Sequence, residues 1–183
     1  MRKLHVLIAL CMISVAALPQ KYMTKNGFIG FYSHTPVEDI KADNNQVAGI
    51  IDVATNEFVF QVLMKSFHFD KSLMEEHFNE NYVESEKFPK ASFKGTITEP
   101  AGTDLKKEGS YEVTVTGEMT MHGVTKALSA KGTIVVLADA IKASSKFVIS
   151  PEDYDISIPG VVREKIAKEV EVTVDMSYSA IEK

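Results

Sequence analysis

The stretch GSYEVTVTGEMTMHGVTKALSAKGTIVVL, Gly109 to Leu137, decides the fold. Tyr111, Val113, Val115, Gly117, Met119 and Met121 fall on one face, and Glu112, Thr114, Thr116, Glu118 and Thr120 on the other. Only an extended strand sorts alternate residues in this way; a helix would scatter both sets around its axis. His122-Gly123 then marks a tight reversal, since glycine takes positive φ without steric cost. Val124 to Leu137 returns as the antiparallel partner, with Gly132 placed to bend a strand too long to stay straight.

The same period of two runs outward in both directions. On the N-terminal side, Gly27 to Thr35 reads as a strand with Ile29, Phe31 and Ser33 on one face. Val47 to Val53 and Glu57 to Met64 form a hairpin, and Lys90 to Glu99 a further strand. On the C-terminal side, Ile141 to Ile149 ends at Pro151, and EVEVTVDMSYSAI closes the chain with Val170, Val172, Val174, Met176 and Tyr178 on one face. Only residues 71-85 break the pattern. There Leu73, Met74, His77, Phe78, Asn81 and Tyr82 recur at helical spacing, Asp70 or Ser72 can cap, and Glu75 and Glu76 suit the first turn. A short helix is expected near 161-168.

Eight or nine antiparallel strands with one helical insertion must hide their sheet edges, and closure into a barrel does so directly. The expected fold is therefore all-β, an extended eight-stranded antiparallel barrel, with a sandwich as the alternative. An eight-stranded barrel is either filled by its own side chains or holds one small ligand. Small residues among the expected inward positions, Ala48, Gly95, Gly117, Ala130 and Gly132, favour an elongated apolar cavity.

At 183 residues the chain suits one domain. Arg2 and Lys3 precede an apolar run from Val6 to Ala17, the pattern of a secretory signal peptide, with cleavage expected near Ala16. Loss of residues 1-16 removes two positive charges, leaving 18 Lys and Arg against 25 Asp and Glu, and it removes Cys11, the sole cysteine. The domain itself is then residues 17-183, with no transmembrane span expected and a periplasmic or secreted location. The acidic balance disfavours nucleic acid as a partner.

The remaining histidines, His34, His68, His77 and His122, have no metal-ligand spacing, and no nucleophile signature appears. Helix-surface glutamates between Glu75 and Glu86 read as solvated groups. Neither a metal, a cofactor nor a catalytic residue is expected. Polar Thr120, His122, Thr125 and Lys126 surround the hairpin turn, where they can bond the turn itself or meet a ligand's head.

The motifs GFIGFYSHT, MEEHFNENYVESEKFPKASFKG, GEMTMHGVTKAL, SSKFVISPEDYDISIPG and EVEVTVDMSY, in this order, make the sequence resemble the YceI-like family of lipid- or polyisoprenoid-binding proteins from Gly27 to about Ile181. Met74-Glu75-Glu76-His77-Phe78 stands where the commoner pattern of that family carries an arginine and an aspartate. The resemblance implies a lipocalin-like periplasmic barrel that encloses a long apolar tail, such as a polyisoprenoid or isoprenoid quinone. It implies a non-catalytic carrier or store, and it leaves a homodimer open. A packed interaction module of the cell envelope and a lipid-modifying enzyme are the alternatives. The expected ligand-binding residues are His77, Tyr82, His122 and Lys126 for the head, and Val113, Met119, Met121 and Val174 for the tail.

Overall fold

The structure, a computed structural model, describes residues 21-98, 100 and 103-181. The expected signal peptide, its cleavage point, Cys11 and Glu99 lie outside the described residues. Among the described residues nine strands form, in chain order β1 Lys21–His34, β2 Asp39–Asp52, β3 Glu57–Leu63, β4 His68–Phe69, β5 Lys90–Thr98, β6 Gly109–Met121, β7 Val124–Val136, β8 Ala140–Ile149 and β9 Val170–Ala180. They are ordered β1-β9-β8-β7-β6-β5-β3-β2-β4, and β1 also pairs with β2. That last pairing joins the two ends of the sheet into an eight-stranded antiparallel barrel, with two-residue β4 as an extra strand on β2. The barrel expected from the period of two is the fold observed, and the sandwich is not.

The β6–β7 hairpin pairs Met121 with Val124, and His122 and Gly123 both have positive φ, 52° and 78°. This mirror-image turn matches the right-handed twist of the strands it joins. Two strands reach further than their sequence pattern indicated. β1 begins at Lys21 rather than Gly27, with register shifts between Thr24 and Ile29. β2 begins at Asp39, through the polar run DIKADNNQ. That run still alternates, because Ala42 and Asn44 are buried while Asp39, Lys41 and Asp43 are exposed. Asn44 is fully buried yet satisfied: its Nδ2 donates to Leu63 O at 3.0 Å and its Oδ1 accepts from Gln46 N at 2.8 Å.

The helical insertion is shorter and less regular than expected. α1 covers Ser72–His77, and a π-helical turn follows over Phe78–Tyr82. Neither Asp70 nor Ser72 caps it; Lys71 occupies that position without a side-chain bond, and Glu75 Oε2 instead accepts Phe69 N at 3.1 Å. The short helix expected near 161-168 is a single 3-10 turn, Gly160–Val162.

Of the small residues expected to leave interior space, Ala130 and Gly132 line a small chamber of the barrel, whereas Ala48, Gly95 and Gly117 do not create such space. Ala48 faces solvent. The Phe93 ring lies over Gly95, where a Cβ would come within 2.8 Å of it, and a Cβ on Gly117 would collide with the Lys94 carbonyl. These glycines let β5 and β6 approach closely, at the facing pair Gly95 and Gly117. Gly117→Val is expected to destabilise the barrel by about 1–3 kcal/mol through overpacking. Gly160→Ala, where a Cβ meets nothing within 4 Å, is expected to leave the denaturation midpoint unchanged; parallel chemical denaturation checks both.

Tyr178 is wholly buried beside Gly49, and its hydroxyl has no hydrogen-bond partner among the described residues. Burial pushes its phenol well above the usual tyrosine range, so it stays neutral. Tyr178→Phe removes an unsatisfied polar atom and keeps the ring, and is expected to raise stability by about 1 kcal/mol in the same assay.

Candidate ligand-binding cavity

The apolar stripe on the helical insertion has a physical destination. Leu73, Met74, His77, Phe78 and Tyr82 all line a cavity of about 490 Å³ between the insertion and the barrel wall. That volume lies within the range of about 300–1,000 Å³ usual for small-molecule sites. Met119 and Met121 of β6, Val62 of β3 and Val172 of β9 form its inner wall. Ile156, Ile158 and Val162, from the connection between β8 and β9, cover another side.

Four phenylalanines fasten the insertion to the wall. Phe31 on β1 packs against Phe67, Phe69 and Phe78 with ring centroids 5.5, 5.7 and 5.6 Å away, and Phe69 meets Phe78 at 5.1 Å. Each such pair adds about 0.5–1.5 kcal/mol beyond the area it buries. The four also line the cavity, so one cluster both holds the insertion and gives the pocket an aromatic wall.

Polar groups gather at the rim. Glu38 accepts from Lys71 Nζ at 3.0 Å and lies 3.9 Å from Lys165 Nζ, and all three line the cavity. His77 and Leu73 are exposed beside them. Ser33 Oγ, buried in the wall, accepts Ala167 N at 2.9 Å and pins the β8–β9 connection to β1. Burial raises the Tyr82 phenol above its ordinary value, which keeps it a neutral donor facing the cavity.

The residues singled out from the sequence divide into three groups. His77, Tyr82, Met119 and Met121 line the main cavity. Val113 and Val174 line a smaller chamber of about 60 Å³ deeper in the barrel. His122 and Lys126 line neither. Lys126 is exposed on β7, and Thr120 and Thr125 bond each other at 2.8 Å. His68 stands 3.7 Å from Glu75, and among the described residues no cluster of three or more His, Cys, Asp or Glu could hold a metal. Sequence reasoning missed Phe67, Phe69, Glu38, Lys71 and Lys165. The alternation in FHF was a signal for the two phenylalanines; nothing local marked the rim.

His122 serves as a latch between three segments. Its Nδ1 donates to the Tyr154 carbonyl at 3.0 Å, since a carbonyl only accepts, and its Nε2 lies 2.9 Å from Glu84 Oε2. Phe88 closes on the ring edge at 4.6 Å between centroids. Glu84, His122 and Asp155 all hold positive φ, 45°, 52° and 55°, at this one corner. Non-glycine residues adopt that region only where surrounding contacts over-determine it. His122→Ala is expected to lower stability by about 2 kcal/mol through two lost bonds. His77→Ala, at an exposed rim position, is expected to leave it unchanged; thermal unfolding of both variants checks the contrast.

Residues 21–178 match the YceI-like domain family. Among solved structures, the chain resembles a polyisoprenoid binding domain from Saccharophagus degradans implicated in plant cell wall breakdown. That match has 15% identity over 89% of this chain and 99% of the other, with a TM-score of 0.74. It also resembles Burkholderia cenocepacia BcnA, at 14% identity over 82% and 95% with a TM-score of 0.69. A third match, the Campylobacter jejuni YCEI protein, has 16% identity over 81% and 90% with a TM-score of 0.64. No curated protein matches the sequence. With the domain match covering nearly every described residue, the chain belongs to the YceI-like family.

Proposed function

We propose that this protein binds a long apolar ligand, a polyisoprenoid, isoprenoid quinone or related lipid, with the tail in the main cavity and the head at the rim, and carries or stores it without catalysis. The observation that supports this reading is the 490 Å³ cavity walled by Phe, Met, Val and Ile side chains, with its charged groups confined to one edge. The likeness to the polyisoprenoid binding domain of S. degradans supports the same reading. Each buried methylene contributes about 0.8 kcal/mol. Micromolar binding needs about 8 kcal/mol, and association with ordering costs about 4–15 kcal/mol. A tail of about fifteen to thirty carbons, according to that cost, therefore binds without help from its head.

At the rim, Lys71, Lys165, His77 and Tyr82 offer donors to a polar head, and Glu38 offers an acceptor. The basic, apolar leader at residues 1-16 directs the chain out of the cytoplasm, where cleavage near Ala16 releases the barrel to the periplasm or the medium. Among the described residues no helix is long and apolar enough to cross a membrane.

Protein purified from its own host and extracted with organic solvent is expected to release one dominant long-chain species by mass spectrometry. Ala91 faces the cavity and is buried. Ala91→Phe should fill the space, keep the fold and reduce the extracted lipid at least tenfold. An empty extract from the natural protein, with no uptake from lipid vesicles, defeats the proposal.

A further inference from the structure

The smaller chamber lies against the main cavity, and Phe60 of β3 and Phe147 of β8 are the two side chains that line both. They differ in how firmly they are held. Phe60 is buried and stacks on Phe93 at 5.6 Å and 16°, with Phe58 at 5.7 Å. Phe147 is partly exposed, and its strand is bonded there to β9 alone. The β7–β8 ladder stops at Gly132 and Ser145, two residues before Phe147, where Ser145 Oγ donates to Lys131 O at 2.7 Å. Beyond that bond the two strands part. Ala130 and Leu128, on the inward face of β7, are left partly exposed at the seam and line the chamber.

We infer that this chamber is a second subsite, which receives the hydrocarbon end of a tail too long for the main cavity, and that Phe147 is the partition that sets the length accepted. The inference rests on the tail-binding reading above. The chamber suits hydrocarbon and not a polar end. Its walls are Val113, Ile134, Ala143 and Val174; of the polar residues at its edge, Thr133 is engaged with Glu112 at 2.7 Å and Ser145 with Lys131 O, while Ser144 is exposed to solvent. Phe60 is fixed by its stack, whereas Phe147 can swing toward the seam because no neighbouring strand closes that side.

The test uses a ladder of all-trans prenyl alcohols of increasing length, measured by displacement of a fluorescent fatty acid from the full domain. For the natural protein, affinity is expected to rise with each added unit and then level off. Phe147→Ala joins the chambers and moves that levelling point to longer chains, with the first longer alcohol bound about tenfold tighter. Ala143→Leu fills the chamber and moves it to shorter ones, and it decides the matter alone should Phe147→Ala fail to fold. A levelling point unchanged in Ala143→Leu, with the alcohols still bound, overturns the second subsite and leaves tail binding standing. Failure of every alcohol to bind the natural protein overturns both.

Discussion

The pairing of β1 with both β2 and β9 is the contact on which everything else depends. An open sheet of eight strands would have two edges and one buried face, and it would pack that face solidly against other elements. Once the first strand bridges the ends, the inward faces meet only one another, and the width of the ring fixes how much space they leave. Toward one end, Tyr178, Phe58, Phe60 and Phe93 crowd that space with rings, and the last three border the smaller chamber. Toward the other, the wall carries Met, Val and Ile, and the insertion roofs it without filling it.

The insertion is therefore part of the container and not an ornament on it. Its residues from Leu73 to Tyr82 have one apolar side, of which Phe78 and Tyr82 pack against the core while Leu73 and Met74 face the cavity. Four phenylalanines bind it at its edge, and the remaining stripe faces open volume. The change from α to π geometry at Phe78 occurs where the chain joins this aromatic cluster. A helix that continued in α geometry would rotate Tyr82 relative to Phe78, since the two helices differ in residues per turn.

Much of this was legible in sequence, for reasons that can be stated residue by residue. Strands such as Tyr111 to Met121 announce themselves because solvent and core alternate along them, and the turn at His122-Gly123 because few residues tolerate its φ. The polar start of β2 was opaque, since Asn44 replaces an inward apolar residue and is rescued by a carbonyl nineteen positions away. The cavity itself was expected, but on the wrong grounds. Gly95 and Gly117 are small so that backbones can touch, and the main volume lies between the insertion and the barrel wall, a juxtaposition that no local pattern encodes. The rim is equally non-local: Glu38, Lys71 and Lys165 are far apart in the chain and meet only after closure. His122 illustrates the reverse case. A histidine in a family motif at a barrel end reads as a ligand contact, whereas its neighbours Glu84 and Tyr154 make it a fastener.

The parting of β7 from β8 has one more effect. A closed barrel hides all of its backbone donors and acceptors, but here a short length of each strand is left without a neighbour. Such a bare margin is a template on which another chain could add itself, the first step toward fibrous aggregates. Lys126, Lys131 and Lys146 stand exposed along it. An incoming strand would have to strip water from these ammonium groups, so the charges act as gatekeepers that keep the molecule from self-adhesion along this open margin.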